Sequence, residues 1–351
     1  MTLDEQKLEA FVHQAIGDLG AAISACLIHI GDKLGLYNAM AGAGPLTPGE
    51  LAGRTATAEP YVREWLNNQA AGGYVSYDPA AGCYQLPPEQ AACLADEDSP
   101  AFMMGGFEAV ASFFVDEPRI TDAFRTGAGV GWHEHDARLF RGTERLYRPG
   151  YQANLVGSWL PALDGVTAKL AAGASVADVG CGHGVSTITM AEAFPASRFV
   201  GFDYHDASIA VARKTAAAAG VADRVSFEVA GAKDYPGTFD LVCLFDCLHD
   251  MGDPVGATRY VRRSLTSDGT VMLVEPHAGD RPEENFHPLG RAFYGFSTLV
   301  CTPASLAQEV GLALGTCAGE ARLRAIFEEA GYSRFRRATE TPMNLVLEAR
   351  P

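Results

Sequence analysis

Apolar residues early in the chain recur at threes and fours: Phe11, Ile16, Leu19, Ile23, Leu27, Ile30 and Leu34. That is the helical period, and it predicts one helix over 5–40 with an apolar side, closed near Gly35. A second start signal follows in LTPGELAGRT, where Thr47 can cap, Pro48 takes the first helical position and Glu50 the third. The next segment, AEPYVREWLNNQAAGG, sets Tyr61, Val62, Trp65, Leu66 and Gln69 on one face. YVSYDPAAGCYQL then reads as two short strands around a turn from Asp78-Pro79 to Gly82.

Short helices followed by a hairpin is the order of a winged helix, here over 1–95. Residues 96–165 hold two further helical segments, PAFMMGGFEAVASFF and ERLYRPGYQANLVGSWLPALDGV, on either side of the glycine-rich GAGVGWHEHD. They are expected to connect the modules and cover a ligand cleft. From residue 174 short β-branched strands alternate with helices: ASVADVG, SRFVGFD, RVSFEVA, FDLVCLFD and GTVMLVE. This predicts an α/β domain over 166–351, with a Rossmann-like parallel sheet covered by helices on both faces. YSRFRRAT and MNLVLEAR come in succession, so a terminal hairpin brings the count to seven and the last strand runs antiparallel. The long stretch 277–317 is expected to be a lid.

Charge narrows the partners. The 351 residues carry a formal charge of −16, which repels nucleic acid and anionic membrane. Between residues 19 and 95 the basic side chains are Lys33, Arg54 and Arg63, and the would-be recognition helix carries Glu59 and Glu64. The winged module is therefore expected to pack and dimerise rather than read DNA. Asp4 and Glu5 stand where a leader would be basic, and His29 and Asp32 interrupt the apolar run near Cys26–Ile30, so no membrane anchor is expected. Eight scattered cysteines without a CxxC pair suit a reducing cytoplasm. His133 and His135 in WHEHD, with Glu134 and Asp136 beside them, fall short of a fixed ligand set, and no metal is expected.

The most specific stretch is VADVGCGHGVST, 176–187. A dinucleotide turn reads G-x-G-x-x-G, but here Gly180, Gly182 and Gly184 alternate and position 185 is Val. Asp178 lies in the strand ahead of the turn, where a carboxylate suits an amino group better than a pyrophosphate. Asp203 ends the next strand, twenty-three residues after Gly180, where it can accept two ribose hydroxyls. Together DVGCGHG and VGFD resemble the class I S-adenosylmethionine-dependent methyltransferases over about 170–351. The resemblance implies S-adenosylmethionine as cofactor, held by Asp178, by the turn Gly180, Cys181, Gly182 and Gly184, and by Asp203 with Tyr204. It also implies Ala232 and Lys233 near adenine, and Phe245 and Asp246 flanking the methionine part. Cys181 reads as a small filler.

FDCLHDMGDP, 245–254, resembles the LHDWSDE-type segment of small-molecule O-methyltransferases, whose N-terminal winged helix serves dimerisation. The resemblance implies His249 as general base, oriented by Glu275, and a homodimer through the N-terminal domain. The residues alone leave His249 equally able to cap the following helix, and Glu275 to be an ordinary strand end. Met251 and Gly252 depart from the family's tryptophan and its serine or acid. Trp132, Tyr294, Phe296 and Cys301 are the candidates for binding a small acceptor. Methyl transfer to oxygen, sulfur or nitrogen is the favoured reading. A ligand-sensing winged-helix regulator and a non-methylating enzyme on the same cofactor fold remain alternatives.

Overall fold

The computed structural model describes residues 3–351. The chain divides into two compact units, one running to Phe114 and taking in Ala137–Pro149, the other comprising Val115–Asp136 and Gly150 onward. All the boundaries between the two units fall within the stretch 96–165.

The first unit begins with α1 (Glu5–Lys33), α2 (Leu36–Met40), α3 (Pro48–Thr55) and α4 (Glu59–Ala71). The hairpin β1 (Ser76–Asp78) and β2 (Cys83–Gln85) and the short α5 (Pro88–Leu94) follow. α6 (Met104–Thr126) and α7 (Ala137–Asn154) have residues in both units. The helix expected over 5–40 is two: Gly35 takes a left-handed φ of +66° and restarts the chain as α2. Thr47 and Glu50 form the expected reciprocal cap on α3. Tyr61 does not join the buried face of α4 and is 83% exposed. Val62, Trp65, Leu66 and Gln69 keep the i, i+3, i+4, i+7 stripe, and Tyr61 falls one step around the helix from it. Their core includes Tyr37, Leu51 and Met104.

The apolar side of α1 faces outward instead: Phe11 is 66% exposed, and Ile16, Leu19 and Ile23 are also exposed. By length and composition α1 could cross a membrane. The apolar run near Cys26–Ile30 is short, but the helix that carries it is 29 residues long.

The second unit holds α8 (Val166–Ala172), β3 (Ser175–Val179), α9 (Val185–Ala193), β4 (Arg198–Asp203), α10 (Asp206–Ala218), β5 (Val225–Val229) and β6 (Phe239–Phe245). α11 (Pro254–Arg263), β7 (Leu265–Pro276), α12 (Pro288–Phe296), α13 (Thr302–Leu306), α14 (Gly319–Glu329), β8 (Arg334–Glu340) and β9 (Asn344–Arg350) complete it. The seven strands run in the order β5-β4-β3-β6-β7-β9-β8, parallel except β9. Central β3, β6 and β9 are almost continuously buried, as strands covered on both faces must be, while edge β8 is half-exposed. The chain winds outward from β3 through β4 and β5, then returns to lay β6 on the other side of β3. That reversal opens a crevice at the carboxyl ends of β3 and β6, where ligands of open parallel sheets bind.

Candidate active site

The crevice is lined by acids, each held by a different part of the chain. Asp178, one residue from the end of β3, is 1% exposed. Its Oδ2 accepts hydrogen bonds from Ser186 and Thr187 at the start of α9, both at 2.6 Å. Its Oδ1 is buried without a donor. Burial pushes the carboxyl up to about 6, and the two hydroxyls limit the rise.

The glycine turn hangs from β4. Gly180 and Cys181 donate N–H bonds to the Phe202 carbonyl at 2.8 and 3.1 Å. The Gly182 N–H donates to Asp203 Oδ2 at 2.9 Å, and the His205 N–H to Oδ1 at the same distance. Asp203 therefore clamps the turn to the strand end, and burial pushes its carboxyl up. Gly182 has φ +51°, and a Cβ there would meet nothing within 4 Å. Gly184 serves packing: its φ is +81°, and a Cβ would lie 2.5 Å from the Phe227 ring. Burial pushes the Cys181 thiol well up, which fits an inert filler. Tyr204 meets the His133 ring edge-on at 5.9 Å, and burial pushes its phenol up to about 12. The Lys233 ammonium pairs with Asp253 at 2.9 Å and with Glu309, and Ala232 is half-buried against the sheet core.

At the end of β6, Phe245 is buried, with the Tyr151 ring 5.4 Å away. Asp246 has φ +48°, a left-handed conformation that side chains avoid. It is held by its own N–H to the Val274 carbonyl at 2.8 Å and by donors from Tyr151 Oη at 2.7 Å and Asn344 Nδ2 at 3.0 Å. Burial first, and the Glu275 charge second, push its carboxyl up to about 7.

A turn of 3₁₀ helix, Leu248–Asp250, then carries His249 into the interior, where it is 4% exposed. Glu275, 2% exposed on β7, accepts the Leu248 and His249 N–H groups on Oε1 at 3.0 and 3.3 Å. Its Oε2 makes a short contact with His249 Nδ1. Nε2 lies 3.4 Å from Asp250 Oδ1. Burial works to lower the imidazole pKa, but the charges of Glu275 and Asp250 overcome it and raise the value well above that of an ordinary histidine. His249 does not cap α11; Asp253 does, accepting from the Gly256 N–H.

Gly252, one of the departures from the family segment, has a steric reason. A Cβ there would stand 2.6 Å from both Gln308 Cβ and the Glu309 carbonyl. Its absence lets the segment after α13 dock on the turn. Gln308 binds the Gly252 N–H and the Asp250 carbonyl at 3.0 and 2.8 Å, and Ser305 Oγ donates to the Met251 carbonyl at 3.0 Å. Of the acceptor candidates, Cys301 is buried beside His249 and Asp250, with Thr316 Oγ1 3.0 Å from its thiol. Tyr294 and Phe296 are half-buried on and at the end of α12, and Trp132 is half-buried in a 3₁₀ turn, Trp132–Glu134. In WHEHD, His135 is buried with Nδ1 2.9 Å from Asp116 Oδ2, while His133 is exposed.

Residues 170–331 match the model of a methyltransferase domain, and residues 21–96 that of an Rv2258c-like winged HTH domain. Residues 170–331 are a methyltransferase domain. The chain aligns over 99% of its length with all of the mitomycin 7-O-methyltransferase MmcR, at TM-score 0.72 and 20% identity. It aligns over the whole of both chains with the SAH-bound form of CalO1, a methyltransferase in calicheamicin biosynthesis, at 0.69 and 21%. At that identity the likeness shows the fold. Over 105 residues, 29% of this chain and 44% of the relative, it is 34% identical to a ubiquinone biosynthesis O-methyltransferase of Pseudomonas paraeruginosa. The chain spans under half the length of the curated relatives it matches.

S-adenosylmethionine fits the methyltransferase domain on two observations. The unpartnered Asp178 Oδ1 lacks the cation that an α-ammonium would supply, and the open side of Gly182 leaves room where any side chain would intrude. Several residues of the site were not foreseen. Ser186 and Thr187 had a signal, two hydroxyls at the start of the helix after the glycine turn. Tyr151 and Asn344 had none, since 95 and 98 residues separate them from Asp246.

Proposed function

We propose that this chain transfers a methyl group from S-adenosylmethionine to a small-molecule acceptor, oxygen before sulfur or nitrogen, with His249 taking the acceptor's proton. The buried His249–Glu275 pair carries the reading. When bound, the cofactor supplies a methyl group already made electrophilic by a sulfonium. Asp178 would hold its amino group, Asp203 its ribose hydroxyls, and Phe245 and Asp246 the methionine side. The adenine would lie against Ala232 and the stem of Lys233, whose charge is already paired. Glu275, as carboxylate, keeps a proton on His249 Nδ1 and so reserves the Nε2 lone pair for the acceptor. Trp132, Tyr294, Phe296 and Cys301 would wall the acceptor, with 277–317 as the lid.

The outward apolar face of α1 supports pairing with a second copy through the 1–95 module. The regulator alternative finds little support in α4, where Arg63 is already paired with Glu59 at 3.1 Å and Glu64 at 3.6 Å. Eight unpaired cysteines fit a reducing compartment. The test is His249→Ala assayed with phenols, thiols and amines, alongside cofactor binding. Lost turnover with retained binding is expected. Unchanged turnover removes the base role and leaves alignment as the chain's contribution.

A further inference from the structure

We infer that His249, Asp250 and Cys301 form a binding site for a zinc-class divalent cation. Among the described residues these three offer one nitrogen, one oxygen and one sulfur donor, all within 4.8 Å of one another. Zinc bonds of roughly 2.0–2.3 Å set tetrahedral ligand separations near 3.5 Å, so small side-chain rotations close the set. His249 Nε2 and Asp250 Oδ1 already stand 3.4 Å apart.

The surroundings are those of a prepared site. Asp250 Oδ1 is buried and makes no regular hydrogen bond, and the polar groups it faces are the other two members of the cluster, His249 Nε2 and the Cys301 thiol. Glu275 on Nδ1 directs the other imidazole nitrogen toward the cluster, the outer arrangement usual for a metal-bound histidine. Thr316 Oγ1 lies 3.0 Å from the Cys301 sulfur. The backbone is braced as well: Gln308 holds the Asp250 carbonyl, and Cys301 ends a π-helical turn, Ser297–Cys301, that runs straight into α13.

The mixture of nitrogen, oxygen and thiolate selects zinc, cobalt or cadmium over magnesium or calcium. On binding, a metal–sulfur bond forms, the Cys301 thiol proton passes to solvent, and no oxidation state changes. Three protein ligands leave a fourth position open. The cation takes the Nε2 lone pair, and with it the base proposed above. This last consequence rests on that proposal; the site itself does not.

The probe is cobalt(II), titrated into the reduced full-length chain without chelator. One ion per chain is expected, with an intense near-ultraviolet thiolate-to-cobalt band and visible bands of four-coordinate strength. Cys301→Ser should lose the near-ultraviolet band, and Asp250→Asn should weaken cobalt binding at least about tenfold. Cys26→Ser, on the exposed side of α1, should keep both. A wild-type chain without the band, or a band that survives Cys301→Ser, overturns the site. Should Cys301→Ser fail to fold, zinc must still protect Cys301 of the wild-type chain from alkylation, read by peptide mass spectrometry; unaltered labelling overturns the site equally. Zinc should also suppress methyl transfer at least about tenfold, reversibly with EDTA. Tight cobalt binding with turnover untouched by zinc keeps the site and retires His249 as base.

Discussion

Replacing Glu275 by Gln separates two roles that the carboxylate plays at once. Oε1 accepts two backbone N–H groups, and Oε2 faces His249 Nδ1. Glutamine has only one acceptor oxygen. Turning its NH₂ toward the two backbone donors would leave both unsatisfied, at about 1–3 kcal/mol each. The amide oxygen therefore stays on the backbone, and the NH₂ faces Nδ1. That nitrogen must then accept, so the ring proton moves to Nε2, the atom that should receive the substrate proton. The histidine becomes the wrong tautomer for a base. General-base catalysis is worth about 10²–10⁴-fold, so kcat should fall by that factor, equivalent to about 3–5 kcal/mol. A purely electrostatic role predicts the opposite. Losing the Glu275 charge lowers the raised His249 pKa, frees more neutral imidazole near pH 7 and speeds the reaction. The assay is methyl transfer from labelled cofactor to the best acceptor of the phenol, thiol and amine panel, across the neutral and mildly alkaline range. Glu275→Gln turnover equal to or above wild type at neutral pH would refute the tautomer argument.

Other outcomes follow from the same geometry. Asp178 titrates at about 6 in the free chain. Below that value the protonated carboxyl offers a cation nothing, so S-adenosylmethionine should bind about tenfold more weakly at one pH unit below it than at neutral pH. Calorimetry should show this slope, and Asp178→Asn should bind weakly and flatten it; an equally steep slope in the variant rejects the assignment. Gly184→Ala combines a φ of +81° with a Cβ 2.5 Å from Phe227, and should cost at least about 1 kcal/mol. An unchanged denaturant midpoint would contradict that. Leu19→Glu with Ile23→Glu charges the outward face of α1 and should yield monomers in sedimentation. A wild-type chain that is already monomeric at assay concentration removes the second copy. In wild type, kcat/KM should climb with pH as His249 loses its proton, at higher pH than an ordinary histidine would set, because the Glu275 and Asp250 charges hold that proton. A profile flat through that range would contradict a titrating base.

Periodicity made the sheet strands legible, because β3, β6 and β9 are nearly all buried and their residues leave little alternative. The two carboxylates bracketing the glycines were legible for a local reason: Asp178, the turn and Asp203 are neighbours in a strand–turn–helix–strand unit. The failures are non-local or directional. Tyr61 is apolar in a helix, and the period alone does not say which of two adjacent stripes meets the core. The break at Gly35 depends on one backbone angle. Asp246 is expected beside the methionine part, but its left-handed conformation is held by Tyr151 on α7 and Asn344 on β9, which the fold brings from distant parts of the chain. Gly252 appeared as a defect in a family segment. Only the docking of Gln308 shows that the missing Cβ is what the fold requires.

The acids at the crevice decide which nucleotide-like ligand it accepts. Asp178, Asp203, Asp246 and Glu275 all lie at the carboxyl ends of neighbouring parallel strands. The nearby cation Lys233 is already taken by Asp253 and Glu309. A diphosphate would bring further negative charge beside these carboxyls, and the Lys233 ammonium is already paired. A sulfonium with an α-ammonium reverses the balance. It supplies positive charge beside carboxyls whose raised pKa values already register the cost of ionising without one. The alternating glycines alone admit either ligand, since both need close backbone approach. The selection comes from the charge around them.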